Sequence, residues 1–413
     1  MKKILAIGLM LLLSAPSFSQ MLERLDSMMR TPLLDRTQVG LMVWDLTDDR
    51  SLFCSNHRQL LRPASTMKLV TAITALDQLG GDYQFSTALY HTGTVNGGVL
   101  YGDLYCVGGM DPLFDYADMD SLVLAMQQMG IRRIIGRVVA DTSMKDTLCW
   151  GEGWCWDDDN PILSPLLVGK KADFMTVFMA KLNRAGIIHD GTIVEGNAIP
   201  ANKPTRSLSK RSKAGKSPRR SAAPSSPLPS QARLVTMRCH SLGDVLYTMM
   251  KESDNLFAES MFYNLATVGG NRPARAVDAT RQERALIERC GLDASQYRLA
   301  DGSGLSLYNY LSAELEVALL RYAYQRIDIY DKLIPSLPIA GNDGTLKKRM
   351  KGTLAENNVQ AKTGTLTGVI SLAGYLTAAN GHRLCFSIMN QGTLKASDAR
   401  SFQDKICTIL CEP

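Results

Sequence analysis

From Pro63 onward the chain turns apolar at helical spacing: Leu69, Val70, Ile73, Leu76 and Leu79 share one face until Gly80 and Gly81 stop the run. Proline at the start and glycine just past the end are the usual punctuation of a helix. Ser65 falls in its first turn and Lys68 three residues later, so the two side chains lie on one face. Upstream, Gln38 to Trp44 is an apolar, β-branched run that turns at Thr47-Asp48-Asp49-Arg50 and returns through Ser51 to Cys54, a hairpin leading into the helix. Near the other end, Ile370 to Leu376 and Leu384 to Ile388 flank Asn380-Gly381, the strongest short-range hairpin signal. An amphipathic stretch from Ser397 to Cys411 closes the chain as a helix. Strands at both ends with helices beside them predict one α+β unit whose antiparallel sheet draws strands from both termini.

Between them the texture changes. Short strands (Thr87 to Tyr90, Gly98 to Leu104, Arg137 to Asp141) alternate with glycine turns, helical runs from Ser121 to Met129 and Phe174 to Ala185, and a short strand near Thr192 to Val194. Residues 86–201 therefore read as an inserted, smaller α/β domain, with 20–85 and 235–413 forming the main one. Residues 202–231 are rich in Lys, Arg, Ser, Pro and Ala with almost no large apolar side chains, the composition of a linker. Beyond it, helical runs from Leu242 to Met250 and from Leu256 to Tyr263 flank the polar junction Ser253-Asp254-Asn255, and another helix runs from Ser312 to Tyr324.

Composition is that of an ordinary globular chain of 413 residues, 45% hydrophobic and 21% charged. Lys2 and Lys3, an apolar run from Ile4 to Leu13, and small residues up to Ser19 predict a secretory leader cleaved near Ser19/Gln20. No cysteine stands at that point to take a lipid, and no later run is apolar for long enough to span a bilayer, so an exported, periplasmic protein without stable membrane insertion is expected. The formal charge of +6 is local: removing the eight Lys/Arg of 202–231 and the two leader lysines leaves −4. That argues against a nucleic-acid-binding face. Nine cysteines and five histidines show no metal-ligand spacing, so neither metal nor other cofactor is expected. Cys149 and Cys155 are close enough to form a disulfide, and most of the others read as buried and free.

Three polar clusters stand in order: Ser65-x-x-Lys68 at a helix start, Ser253-x-Asn255 between helices, and Lys362-Thr363-Gly364 entering a strand. Each alone is common, and Ser207-Leu208-Ser209-Lys210 repeats the first spacing with no helix behind it. Together they match the motif set of class A β-lactamases and penicillin-binding proteins. The chemistry is coherent. Ser65 attacks a carbonyl carbon and a neutral Lys68 takes its proton, a state that nearby positive charge from Lys362 favours. Lys362 and Thr363 hold a substrate carboxylate, and Gly364 leaves room for a ligand backbone along the strand edge. Ser253 relays a proton to the leaving amine. Asn255 binds the neighbouring amide and orients Lys68. The backbone N–H groups of Ser65 and Thr365 supply the two oxyanion donors.

With Gly108-Gly109-Met110-Asp111-Pro112, Gly153-Trp154-Cys155-Trp156-Asp157-Asp158, Asp301-Gly302-Ser303-Gly304-Leu305-Ser306 and Gly344-Thr345-Leu346 added, the chain resembles the class C low-molecular-mass penicillin-binding proteins of the penicillin-binding protein 4 type, peptidase family S13, from about Val39 to Gln391. The resemblance implies a serine β-lactamase/DD-transpeptidase-like catalytic domain, action on the D-Ala-D-Ala end or D-Ala cross-link of peptidoglycan stem peptides, and acylation of Ser65 by β-lactams. Two departures stand out. Leu166-Leu167-Val168-Gly169-Lys170-Lys171 occupies the place of an Asn-rich segment usual in the family, and the third nested domain of longer members is absent. Two other functions use the same features, a β-lactamase-like hydrolase and a catalytically silent wall-binding protein. The large insertion between Ser65 and Ser253 argues against the first, and the full set of reactive side chains against the second.

Overall fold

The computed structural model describes residues 17–195 and 231–412, so most of the expected leader and all but the last residue of the basic tract lie outside the described residues. Its elements in chain order are α1 (Ser17–Met28), β1 (Gln38–Asp45), β2 (Arg50–Ser55), α2 (Met67–Gln78), β3 (Gln84–His91), β4 (Thr94–Asn96), β5 (Val99–Tyr101), β6 (Leu104–Gly108), α3 (Tyr116–Gln128), β7 (Arg133–Ile135) and β8 (Val138–Asp141). There follow α4 (Phe174–Arg184), β9 (Ile188–His189), β10 (Ile193–Glu195), β11 (Arg233–Ser241), α5 (Leu242–Lys251), α6 (Asn255–Leu265), α7 (Ala276–Arg289), α8 (Ala313–Tyr324) and α9 (Ile327–Leu333). The last four are β12 (Gln360–Leu366), β13 (Val369–Thr377), β14 (Arg383–Gln391) and α10 (Ala396–Cys411).

The sheet drawn from both termini forms as expected, in the order β12-β13-β14-β1-β2 with antiparallel pairs throughout. Strand alternation sorts its side chains onto two cores. Leu41, Val43, Leu372, Leu376, Phe386 and Ile388 face α1 and α10, against Leu25, Phe402, Ile406 and Leu410. Met42, Ala373, Tyr375, Cys385 and Met389 face the helical layer, where Leu69, Val70, Ile73, Leu246, Phe257, Leu286 and Leu319 close the larger core. Covering both faces explains why β13 is buried at every residue but its last.

The segment after α2 builds two further sheets, β10-β8-β6-β3-β11 and β4-β5-β7-β9, packed on α3 and α4 through Leu89, Cys106, Phe114, Met119, Leu122 and Phe178. The run from Gly98 to Leu104, which reads as one strand, is two. At Gly102 the chain passes from one sheet to the other, where a Cβ would stand 2.1 Å from the Thr92 carbonyl oxygen. The paired strands β3 and β11 straddle residue 86, where the inserted domain is expected to begin, and residue 235, where the main unit is expected to resume. All nine cysteines are unpaired, Cys149 and Cys155 included; Cys106, Cys385, Cys407 and Cys411 are buried, whereas Cys54 and Cys239 are exposed. No described helix is long and apolar enough to cross a membrane.

Candidate active site

Ser65 lies in a 3-10 turn, Ala64–Thr66, that precedes α2, and Lys68 lies in the first turn of α2 itself. Ala64 adopts φ +49°, a conformation costly for a residue with a Cβ, and the Thr66 hydroxyl fastens the turn by donating to the Pro63 carbonyl at 2.8 Å. Gly304 packs so close beneath that a Cβ there would meet the Ala64 oxygen at 1.9 Å. The fold thereby lifts Ser65 Oγ, half-buried, above a wholly buried Lys68.

Lys68 Nζ has three acceptors: Ser65 Oγ at 3.0 Å, Asn255 Oδ1 at 2.7 Å and the Ser303 carbonyl oxygen at 2.8 Å. Three donors and three acceptors fix the amine. Ser303 is itself caged. Its N–H and that of Gly302 donate to Glu259 Oε1 at 2.8 and 3.1 Å, and the buried Asp301 carboxylate accepts from the N–H groups of Gly304 (2.9 Å) and Ser306 (2.7 Å). Asp301 also accepts from Asn309 Nδ2 at 2.7 Å and Trp154 Nε1 at 2.8 Å. Trp154 thus ties the Gly-Trp-Cys-Trp segment onto the loop that positions Lys68.

The junction between α5 and α6 carries the second group. Ser253 adopts φ +62°, and its Oγ accepts from Lys362 Nζ at 2.8 Å; Lys362 also donates to the Thr363 carbonyl oxygen at 2.8 Å. Asp254 caps α6 by accepting from Phe257 N–H at 3.2 Å, which leaves Asn255 as the first helical residue with its amide turned to Lys68. Two lysine–serine pairs therefore stand side by side, with both lysines buried and both serines partly exposed.

Burial, the larger cause, lowers Lys68 to about 8, against the opposing pull of Asp301, Glu259 and Asp254. The expectation that the charge of Lys362 depresses Lys68 needs correction in its emphasis. Burial does that work, while Lys362, wholly buried, is itself held well below the usual range by burial and then by Lys68. Burial drives both shifts downward, and for Lys362 the neighbouring Lys68 adds to it. Glu259 is pushed up to about 8, mainly by burial and then by Asp301, so it keeps its proton at neutral pH.

β12 is an edge strand, and Ala361 N–H donates across its free edge to the Pro338 carbonyl at 3.0 Å. By alternation the N–H groups of Thr363 and Thr365 project from the same edge. The sequence reading gives Gly364 room for a ligand; the structure gives a nearer reason for glycine. A Cβ there would stand 2.0 Å from Ser371 Oγ, 2.7 Å from the Pro63 oxygen and 3.0 Å from Ser65 N, so glycine lets the turn that carries Ser65 dock on β12. Gly364→Ala is accordingly expected to displace that turn, costing about 1–3 kcal/mol of stability and most of the acylation rate. Thermal unfolding beside penicillin-labelling kinetics checks this, and an alanine variant that labels like the parent would contradict it.

The structure thus gathers Ser65, Lys68 and Asn255 around one amine and Ser253 and Lys362 around the next, with Thr363, Gly364 and Thr365 along the adjoining edge. Sequence reasoning gave no site role to three neighbours. Thr345 Oγ1 lies 2.7 Å from Thr363 Oγ1, Arg400 on α10 donates to Thr365 Oγ1 at 3.4 Å, and Glu259 supports the loop beneath Lys68. Thr345 left a signal in the Gly344-Thr345-Leu346 motif, and Glu259 left one as the single charged side chain of α6, one turn after Asn255. Apart from this site, the one group of three among the described residues whose ligand atoms lie close enough together to share a metal ion is Asp45 with Asp48 and His382, and His382 Nδ1 there lies 2.7 Å from Asp45 Oδ2.

Fold and site together define a serine peptidase of the penicillin-binding class, a hydrolase. The chain belongs to the D-Ala-D-Ala carboxypeptidase 3 (S13) family, whose model matches residues 21–167 and 221–412. It is 28% identical over 413 aligned residues to the D-alanyl-D-alanine carboxypeptidase DacB of Haemophilus influenzae, covering 86% of this chain and 85% of that one. It is 26% identical to the D-alanyl-D-alanine carboxypeptidase of Actinomadura sp. (strain R39), over 92% of this chain and 82% of the relative. The crystal structure of penicillin binding protein 4 from H. influenzae superposes with a TM-score of 0.78 at 23% identity, covering 93% of this chain and 100% of that one. A complex of that protein with a β-lactam gives 0.73 at 24% identity, covering 92% and 99%. The expected α+β fold, with a β-lactamase/DD-transpeptidase-like catalytic unit, is the fold found.

Proposed function

We propose that this carboxypeptidase acts on peptidoglycan stem peptides through an acyl-enzyme on Ser65, and that β-lactams acylate the same serine. The observation that carries the proposal is the placement of Lys68 Nζ 3.0 Å from Ser65 Oγ with a second lysine–serine pair, Lys362 and Ser253, at 2.8 Å beside it.

Ser65 Oγ attacks the carbonyl carbon of the penultimate D-alanine while Lys68 accepts the hydroxyl proton. The tetrahedral oxyanion is met by the N–H groups of Ser65 and Thr365, two donors fixed before substrate arrives. Collapse breaks the peptide bond, and the proton passes through Ser253 to the departing amine; water then hydrolyses the ester. A substrate carboxylate held by Lys362 and Thr363 brings the negative charge that Lys362 lacks in the free protein. It thereby favours the charged form of Lys362 and drives Lys68 further toward its neutral, basic form. The leaving amine is free D-alanine in a carboxypeptidase reaction and a cross-linked peptide in an endopeptidase one; both fit the same steps.

The proposal places the protein in the periplasm, with the leader removed near Ser19/Gln20, and divides it into a catalytic unit (20–85 and 235–413), an inserted unit (86–201) and a basic linker (202–231). Incubation with purified disaccharide-pentapeptide monomers and with cross-linked dimers, followed by mass identification of products, tests it. Loss of one alanine from the monomer, or conversion of dimers to monomers, is expected. Both substrates remaining intact with folded protein would refute it.

A further inference from the structure

Lys170 sits in the inserted unit, in the segment between Leu166 and Lys171, yet its ammonium reaches the catalytic junction. Nζ lies 2.8 Å from Asp254 Oδ2 and 5.0 Å from the centre of the Phe257 ring. Its backbone is held for this reach. Lys170 adopts φ +67°, Gly169 N–H donates to the Phe114 carbonyl at 2.9 Å, and Val168 and Lys171 close a bridge around it. Asp254 is the residue between Ser253 and Asn255, and its other carboxylate oxygen caps α6. One carboxylate thus joins the inserted unit to the residues that touch both catalytic lysines.

We propose that Lys170 is a positioning residue for acylation: it neutralises Asp254 and, through it, sets the electrostatic environment of the general base and the placement of Ser253 and Asn255. This rests on Ser65 and Lys68 acting as described above. The groups that bear on Lys68 are Asp301 from the 301–306 loop, Glu259 from α6, Asp254 from the junction and Lys362 from β12. Ionised, these acids favour the charged form of Lys68, which is useless as a base. Asp301 and Glu259 are buried, and Glu259 is protonated at neutral pH. Asp254 is the acid whose charge is cancelled by a cation from outside the catalytic unit. With Lys170 removed, the Asp254 charge acts on Lys68 uncompensated, the Lys68 pKa rises, and less of it is neutral at pH 7.

The test is the pH dependence of the second-order acylation rate with a fluorescent penicillin, measured on the full chain. The wild-type rate should climb with pH through an acidic limb near the pKa of about 8 borne by Lys68. In Lys170→Ala that limb is expected to move up by about half a pH unit, slowing acylation about threefold at pH 7 while the high-pH plateau stays within about twofold. Lys170→Arg should restore the wild-type profile. Lys170→Ala/Asp254→Asn, which keeps a capping side chain and removes the charge, should return the limb to the wild-type position or below it. A Lys170→Ala profile superimposable on wild type would overturn the proposal, as would a uniform loss at all pH values, or a shift that persists in the double variant. Those results leave the Ser65 reading standing. Absence of acylation in the wild type would remove that reading and this proposal with it.

Discussion

Ser65→Ala is expected to abolish release of D-alanine and labelling by a fluorescent penicillin together, with a loss on the order of a millionfold in turnover. The size follows from what remains. The variant keeps the proposed oxyanion donors and the proposed binding edge of β12, but nothing stands 3.0 Å from Lys68 Nζ to be made nucleophilic. The side chain is half-buried and carries no other hydrogen bond among those described than the one from Lys68, so the melting temperature should match the parent's. Loss of both activities with unchanged melting is the expected result. Retained labelling would mean that another residue is acylated.

Asp301→Ala should have the largest effect on stability. The carboxylate is buried and accepts from four well-placed donors: Gly304 N, Ser306 N, Asn309 Nδ2 and Trp154 Nε1. Truncation strands them all, and each unsatisfied buried donor costs about 1–3 kcal/mol before relaxation. Allowing for water entry and loop movement, a net loss of about 3–5 kcal/mol is expected. The same change loosens the Ser303 carbonyl that accepts from Lys68, so acylation should slow at least tenfold under conditions where the variant remains folded. Urea unfolding with stopped-flow labelling on the same sample separates the two effects. A stable variant with unimpaired acylation would show that Asp301 is not the hub of the loop.

Much of this was legible in the chain because the relevant signals are local. Pro63 and the apolar spacing from Leu69 to Leu79 mark the helix that bears Lys68, and Asn380-Gly381 marks the hairpin of β13 and β14. Each reactive cluster sits at an element boundary that turn and cap chemistry reveals. What stayed hidden depends on partners distant in sequence. β11 reads poorly because Arg233, Arg238 and His240 interrupt its alternation; it forms by pairing with β3, nearly 150 residues upstream. α7 has few large apolar positions beyond Leu286 and Ile287, and its burial against α2 and α6 makes it a helix. Gly364 shows the limit of reading a motif by its usual purpose: its missing side chain serves the docking of Pro63 and Ser65 on β12. The depression of Lys68 had a similar fate, since burial, invisible in one dimension, outweighs the partner that the motif suggests.

The most direct test of the central claim is to acylate the folded wild-type protein with a β-lactam, digest it and locate the adduct by mass spectrometry. A single adduct on the peptide carrying Ser65, absent from Ser65→Ala, is the predicted result. An adduct on Ser253, on the Ser207 and Ser209 segment that mimics the motif, or on no serine at all would contradict it.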